Sequence, residues 1–381
     1  MTILHRLLIV AGATLFFASP SPTTPLSGNA GTDGGKTSPR QVEMPGTQLL
    51  TVHSSIVGRD YDLYISFPRN YNDTTKKFPV LYLLDGQYDF PLVNGIYGDL
   101  YYDGFLPELI TVGITWGGEH PNYDSLRTLD LTPTSIKQVP STGNAAKFLA
   151  CIKGELIPYI DSKYRTDKTD RALMGSSLGG LFTLYAMFHE TDLFTRYVLT
   201  SPSLTWDNNV LSSYEASYHT QHSRLPARLF MAVSALEGSE ATFGKFVDRL
   251  KSRKYQDLQI ETRVLEGMGH AGSKPEGYAR GLQSAFSRAS KNIDPSKFNA
   301  FVGKYRLNPQ VMVSILKEND HLVLLAPDST KIELLAESDT EFFVRGMYLL
   351  IRFHRDGAGA VTGAHVEQFQ GGFDLTKEDQ K

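Results

Sequence analysis

The residue types able to do covalent chemistry converge on one short stretch of this 381-residue chain, Gly175-Ser176-Ser177-Leu178-Gly179. Glycines two positions either side of Ser177 mark a turn so tight that side chains there would strike backbone. Such a turn lifts the central hydroxyl clear of the chain. A serine hydroxyl is a weak nucleophile at neutral pH and needs a base, normally a histidine oriented by a carboxylate. In a strand–turn–helix setting these partners follow the serine in the order acid, then histidine.

Seven histidines lie downstream: His189, His219, His222, His270, His321, His354 and His365. His189 is placed at the far end of the helix that follows Ser177, roughly 15–20 Å away at helical rise. His219 and His222 fall in a polar connecting stretch, and the last three belong to a separate C-terminal region. His270, in Gly267-Met268-Gly269-His270-Ala271-Gly272, follows a strand in a glycine-rich loop able to fold back over a neighbouring strand's end. It is the candidate general base. The acid is expected just past the strand ending near Ser234. Glu237 is the first choice and Glu240 the competitor. Asp248 falls on a helix face, and Asp207 or a Ser–His dyad without any acid stays open. The tetrahedral oxyanion of such a reaction needs two backbone donors. The amide of Leu178 opens the helix after the turn, and the amide of Gln87 lies in the loop after Val80–Leu84, a loop that Asp85 is expected to hold by hydrogen bonds.

Two other patterns lead nowhere. Ser314-Ile315-Leu316-Lys317 matches Ser-x-x-Lys but lies in an alternating strand pattern without the companion motifs. His219-Thr220-Gln221-His222 has no third ligand in view, and there is no His-Glu-x-x-His or cysteine pair, so no metal or other cofactor is expected.

The elements that must carry these residues alternate. A hairpin is expected from Gln48–Ser54 and Arg59–Phe67, which alternate apolar with polar about Gly58. Continuous apolar runs at Phe78–Leu84 and Leu109–Ile114 read as strands covered on both faces. A polar loop runs to about Thr142, then a helix over Ala145–Tyr159. Further strands are expected at Asp170–Met174, Tyr197–Thr200, Arg228–Ser234 and Leu258–Leu265, with helices over Leu178–Phe188, Thr242–Leu250 and Tyr278–Ala289. This alternation implies an α/β fold, a mostly parallel sheet with helices on both faces, whose ligands bind at the strands' carboxyl ends. The pattern changes near Asp294-Pro295. Short alternating runs at Val311–Leu316, Leu322–Leu325, Ile332–Leu335, Phe342–Val344, Met347–Phe353 and Val361–Phe369 predict a small antiparallel, barrel-like domain.

Composition narrows the classes further. Hydrophobic residues make up 41% and charged residues 21%, enough for a sizeable core, and the formal charge of −3 with no basic run argues against nucleic acid as a partner. The apolar run Leu7–Ala18 behind a basic start reads as a secretory signal at 1–18, with cleavage between 18 and 30. A Ser/Thr/Pro/Gly-rich linker follows over 19–46. The expected location is therefore secreted or periplasmic, with no stable membrane insertion after processing. The single cysteine, Cys151, allows no internal disulfide. The folded regions are expected at 47–292 and 298–375.

Leu81-Tyr82-Leu83-Leu84-Asp85-Gly86, Gly175-Ser176-Ser177-Leu178-Gly179-Gly180, Ser201-Pro202-Ser203 and Gly269-His270 together resemble the esterase D-type esterases over roughly residues 47–290. The resemblance implies an α/β-hydrolase fold, in a family that includes siderophore esterases, feruloyl esterases and mycolyl-transferring antigens. It matches Ser177 and His270 to the family's serine and histidine, and the amides of Gln87 and Leu178 to its oxyanion donors. The acid varies in position among members, so Glu237 is carried over less directly. Residues 298–375 resemble lipocalin-like modules appended to some bacterial serine hydrolases, chiefly through Val302-Gly303-Lys304-Tyr305. The function implied is a serine carboxylic-ester hydrolase acting on a small-molecule ester. An acyltransferase with the same residues, or an inactive binding protein on the same scaffold, is the alternative.

Overall fold

The structure is a computed structural model that describes residues 43–69, 71–73, 76–287, 290–368 and 371–378. The expected secretory signal, its cleavage site and the linker up to residue 42 lie outside the described residues. The chain falls into two units, whose main segments are Gly46–Ala289 and Ser290 onward.

The first unit is built on an eight-stranded sheet. Strands β1 (Thr47–Ser54) and β2 (Arg59–Ser66) form the expected hairpin around Gly58, whose φ of 78° suits glycine. In β2 the alternating Tyr61, Leu63 and Ile65 face inward. The next six strands are β3 (Phe78–Leu83), β4 (Ile110–Trp116), β5 (Thr166–Ser176), β6 (Arg196–Thr200), β7 (Arg224–Ser234) and β8 (Gln256–Leu265). They pair in parallel, in the order β1-β2-β4-β3-β5-β6-β7-β8, with β2 antiparallel to β4.

Side chains of these strands alternate between two cores. Val80, Tyr82, Leu173, Leu199 and Met231 pack with the helices Ala145–Cys151 and Leu178–His189. Leu81, Leu83, Met174, Val198 and Phe230 pack on the other face with Phe90 and Val93 of helix Gly86–Tyr102 and Tyr278 and Leu282 of helix Lys274–Phe286. A period of two along each strand therefore decides which helix covers which face.

Three helices lie where none is expected, and a fourth runs on past its expected end. Gly86–Tyr102 carries Pro91, Gly95 and Gly98, all poor helix formers that hide it from a propensity reading. The polar stretch expected as loop contains helix Tyr123–Leu131, capped by Asn122 Oδ1 accepting from the Ser125 amide at 3.0 Å. His219 lies not in a connecting stretch but in the last turn of helix Trp206–Gln221, which His222 ends; left-handed backbone at Asp207, Asn208 and Asn209 interrupts that helix near its start. The helix expected over Ala145–Tyr159 runs on to Lys163 through a π-turn at Ile152–Leu156.

The second unit is a closed antiparallel barrel, in the order β10-β11-β12-β13-β14-β15-β16-β9. Six of its strands follow the six runs read from the sequence: β10 (Val311–Glu318), β11 (His321–Leu325), β12 (Lys331–Ala336), β13 (Glu341–Phe343), β14 (Leu349–Arg355) and β15 (Val361–Gln368). The other two, β9 (Gly303–Asn308) and β16 (Gly371–Lys377), pair through Thr376↔Arg306 and close the ring, which removes its free edges. Strand β16 buries only Leu375, so its apolar alternation is faint. Inside, Phe301, Tyr305, Phe342 and Phe353 form an aromatic cluster. Ser314 sits in β10, away from any helix of the kind a Ser-x-x-Lys nucleophile needs.

Candidate active site

Five neighbouring parallel strands, β3, β5, β6, β7 and β8, present the residues singled out above at or just beyond their carboxyl ends. At the end of β5 the chain turns at Ser177, with φ 59° and ψ −118°, and enters helix Leu178–His189 directly. A Cβ on Gly175 would lie 2.7 Å from the carbonyl carbon and oxygen of Gly179, and one on Gly180 would lie 3.0 Å from Cα of Pro202. Only glycine fits there, and a left-handed serine costs about 1–3 kcal/mol that the surrounding packing must hold in place. The Ser177 amide donates to Thr200 O at 3.1 Å, while its carbonyl accepts from Ser203 (3.1 Å) and Leu181 (3.0 Å). The hydroxyl therefore stands at the positive end of a helix, on a turn with no slack.

At the end of β3, Asp85 is also left-handed, at φ 54°. Its buried carboxylate takes two hydrogen bonds from Arg127, Nε to Oδ1 at 2.9 Å and Nη2 to Oδ2 at 2.8 Å. Burial by itself would lower the Arg127 guanidinium pKa, and the bonds and charge of Asp85 more than reverse that. The Asp85 carbonyl accepts from the amides of Tyr88 (2.9 Å) and Asp89 (3.1 Å), opening helix Gly86–Tyr102. A Cβ on Gly86 would lie 2.9 Å from Gly113, and one on Gly179 would lie 3.4 Å from Asp85 Oδ2, so this loop lies against the serine turn. Gln87 is the second residue of the helix, with its side-chain Oε1 fixed by the Thr115 hydroxyl at 2.7 Å. Asp85 thus holds the loop, as expected. Its partner Arg127 lies in helix Tyr123–Leu131, within the stretch expected as loop, and supplies the cation that a buried carboxylate needs.

At the end of β7, Ala235–Glu237 forms one 3-10 turn closed by a capping box. The Ser234 hydroxyl accepts from the Leu236 amide at 3.2 Å, and Glu237 Oε1 from the Ser234 amide at 3.3 Å. The Ser234 hydroxyl also donates to Met268 O, binding the end of β7 to the His270 loop. His270 Nδ1 lies 2.7 Å from Glu237 Oε2. A carboxylate only accepts, so the proton sits on Nδ1 and Nε2 is left as the basic nitrogen. The imidazole is 50% exposed and the carboxylate only 14%. Among the acids weighed, Glu237 is the one that meets His270. Glu240 opens helix Glu240–Arg253, Asp248 lies within it, and Asp207 sits in the interrupted helix start.

The sequence reading missed a set of supporting groups. The Ser201 hydroxyl donates to Glu237 Oε1, and that of Ser273 to His270 O at 2.8 Å. Asp89 is almost fully buried. It accepts from Lys274 Nζ at 2.8 and 3.1 Å and from the Tyr278 hydroxyl at 2.6 Å, tying helix Gly86–Tyr102 to the helix that follows His270. Burial first, then the charge of Asp89, raises the Tyr278 phenol well above its ordinary value, so it stays a neutral donor. Two apolar side chains adjoin the site residues in sequence and face solvent, Tyr88 (52% exposed) and Leu236 (70%). Among the described residues no group of three or more His, Cys, Asp or Glu is disposed to hold a metal.

Comparison with known proteins bears on this arrangement. A family model described as "Putative esterase" matches residues 54–260, and one described as a domain of unknown function matches residues 287–380. The ferri-bacillibactin esterase BesA of Bacillus subtilis is 27% identical over 270 residues, covering 64% of this chain and 90% of that protein. The siderophore triacetylfusarinine C esterase of Aspergillus fumigatus is 26% identical over 176 residues, 45% of this chain and 60% of that one. Among solved structures, the BES protein from Bacillus cereus superposes with a TM-score of 0.60 at 25% identity, over 66% of this chain and all of that one. An IroE-like serine hydrolase from Shewanella oneidensis, 24% identical, shares the fold with a TM-score of 0.58 over 66% of this chain and 84% of its own.

Proposed function

The chain belongs to the esterase family whose model it matches over residues 54–260 and is a carboxylic-ester hydrolase, and from that premise we propose that it works through an acyl-enzyme on Ser177. In this reading His270 Nε2 takes the Ser177 proton as the oxygen attacks the ester carbonyl. Negative charge on the carbonyl oxygen is met by the amides of Leu178 and Gln87, at the starts of two helices. As the intermediate collapses, His270 returns the proton to the departing alcohol. A water, deprotonated by the same nitrogen, then attacks the acyl carbonyl, and that proton passes to the Ser177 oxygen as its bond to the acid breaks. Glu237 keeps Nδ1 protonated and steadies the imidazolium formed in each half-reaction.

The observation that carries the reading is the 2.7 Å bond from His270 to Glu237, made at the same end of the sheet as the strained Ser177. The esterase family model and the relatives' names as esterases support hydrolysis over transfer. For the substrate we propose a siderophore ester. The names of the relatives support this, and Tyr88 and Leu236 would offer it apolar surface. The N-terminal signal motif supports action outside the cytoplasm.

The test has two parts. A fluorophosphonate probe is expected to label Ser177, and Ser177→Ala to cut hydrolysis of p-nitrophenyl acetate by about 10⁴-fold or more. Unchanged turnover in that variant would remove the mechanism. A panel of ferric siderophore esters, feruloyl esters and simple acyl esters then ranks substrates; the siderophore proposal fails if that class is the poorest of the three.

A further inference from the structure

Ser201 opens the Ser201-Pro202-Ser203 motif, which the proposed chemistry leaves without a role. It directly follows β6 and is held at φ 44°, a region a serine enters only under strain. Its amide is fixed to Ala232 O at 2.7 Å, and Pro202 behind it is pressed against the serine turn. A glycine would take this turn freely. What serine adds is a hydroxyl, 4% exposed with its residue, aimed at one oxygen of Glu237.

We infer that Ser201 is a positioning residue, which tethers Oε1 of Glu237 so that Oε2 stays turned to His270. The inference rests on the acyl-enzyme reading above. Proton counting supports it. The hydroxyls of Ser201 and Ser273 approach to 3.2 Å, and each has one proton. That of Ser273 goes to His270 O, 2.8 Å away, and that of Ser201 to Glu237. If Ser201 turned its proton to Ser273, Oε1 would keep only the long 3.3 Å bond from the Ser234 amide. The terminal torsion of a glutamate is broad, so with Oε1 held by one weak bond the carboxylate is freer to turn its Oε2 away from His270. Ser273 completes the arrangement from the other side, holding the backbone of the histidine whose ring Glu237 holds.

The experiment compares Ser201→Ala with Ser201→Gly in the full chain. Glycine relieves the strained φ while removing the hydroxyl, so it keeps the test decisive should the alanine variant fail to fold. Both are expected to lower kcat on a p-nitrophenyl ester by roughly ten- to thirty-fold, with KM within about two-fold. The low-field imidazole N–H proton resonance of His270 is expected to shift or broaden in Ser201→Gly. Parental kcat and an unmoved resonance in Ser201→Gly would overturn the inference, as would a loss confined to KM. Fluorophosphonate labelling of the parent separates the two levels. If Ser177 is labelled and Ser201→Gly turns over normally, only the role of Ser201 falls. If Ser177 is not labelled, the acyl-enzyme reading falls and this inference with it.

Discussion

In the barrel, the left-handed non-glycine residues Asn319 and Ser329 sit at tips of hairpins. In the sheet unit, Asp85, Ser177 and Ser201 sit where β3, β5 and β6 end, side by side in the sheet. The same backbone state answers to two causes. Asn319 joins β10 to β11 in a two-residue turn whose twist demands positive φ, and asparagine tolerates it. Ser329 follows Asp328, whose carboxylate caps the Thr330 amide at 3.0 Å, a local turn device. In the sheet unit only some positions are of this kind, such as Lys254, which closes helix Glu240–Arg253. At the three strand ends no hairpin has to be made. There the strain aims a carboxylate at Arg127, lifts a hydroxyl out of the chain and turns another hydroxyl toward Glu237. Strain in the barrel shapes the chain, and strain in the sheet unit presents side chains.

Substitutions distinguish the two kinds of strain. The largest effect is expected where strain and chemistry meet. Glu237→Gln should lower kcat by about 10²- to 10⁴-fold on the same ester, while Glu240→Gln leaves it near the parental value. The reverse order would mean that the observed His270 contact is not the working one. Gly175→Ala should come next. Its Cβ would lie 2.7 Å from Gly179 backbone, which cannot give way as a flexible side chain could. A loss of about 1–3 kcal/mol in denaturant unfolding is expected, together with lost turnover. A silent Gly175→Ala would show that the serine turn has slack. Smaller still is Ser329→Gly in the barrel. Stability should move by no more than about 0.5 kcal/mol and esterase activity not at all. A drop in turnover as large as that of Ser201→Gly would erase the distinction between the two kinds of strain.

The smallest effect comes from a thiol that reports on the sheet unit by itself. Cys151, the chain's one cysteine, is fully buried in that unit, and burial pushes its thiol up to about 12. At about pH 8 hardly any thiolate forms in the folded state. A disulfide reagent such as Ellman's is expected to leave the native protein untouched and to react as denaturant opens the sheet unit. Prompt reaction in native buffer would contradict the packing described around this helix.

The amino-acid sequence by itself determined the α/β alternation, the change to an antiparallel pattern after Asp294, and the serine turn, because these depend on periodicity and on glycines whose reason is local. The strands with strong apolar runs were legible for the same reason. The helix Gly86–Tyr102 was not, since a proline and two glycines lower its propensity and tertiary packing of Phe90 and Val93 overrides them. Strands β9 and β16 were obscured by weak alternation, and gain their reason to exist from each other, across about 70 residues of chain. The order of elements along the chain already put Glu237 ahead of Glu240 as partner of His270, and the tertiary structure decided between them. Both acids follow β7 within a few residues, so sequence distance ranks them without excluding either. What separates them is that the turn after β7 points one carboxylate back toward the loop after β8, and the other opens a helix that leads away. Ser201, Ser273, Arg127 and the Asp89–Lys274–Tyr278 cluster were beyond the sequence for the same physical reason: each acts through a hydrogen bond to a residue far along the chain, and such bonds leave no periodicity to read.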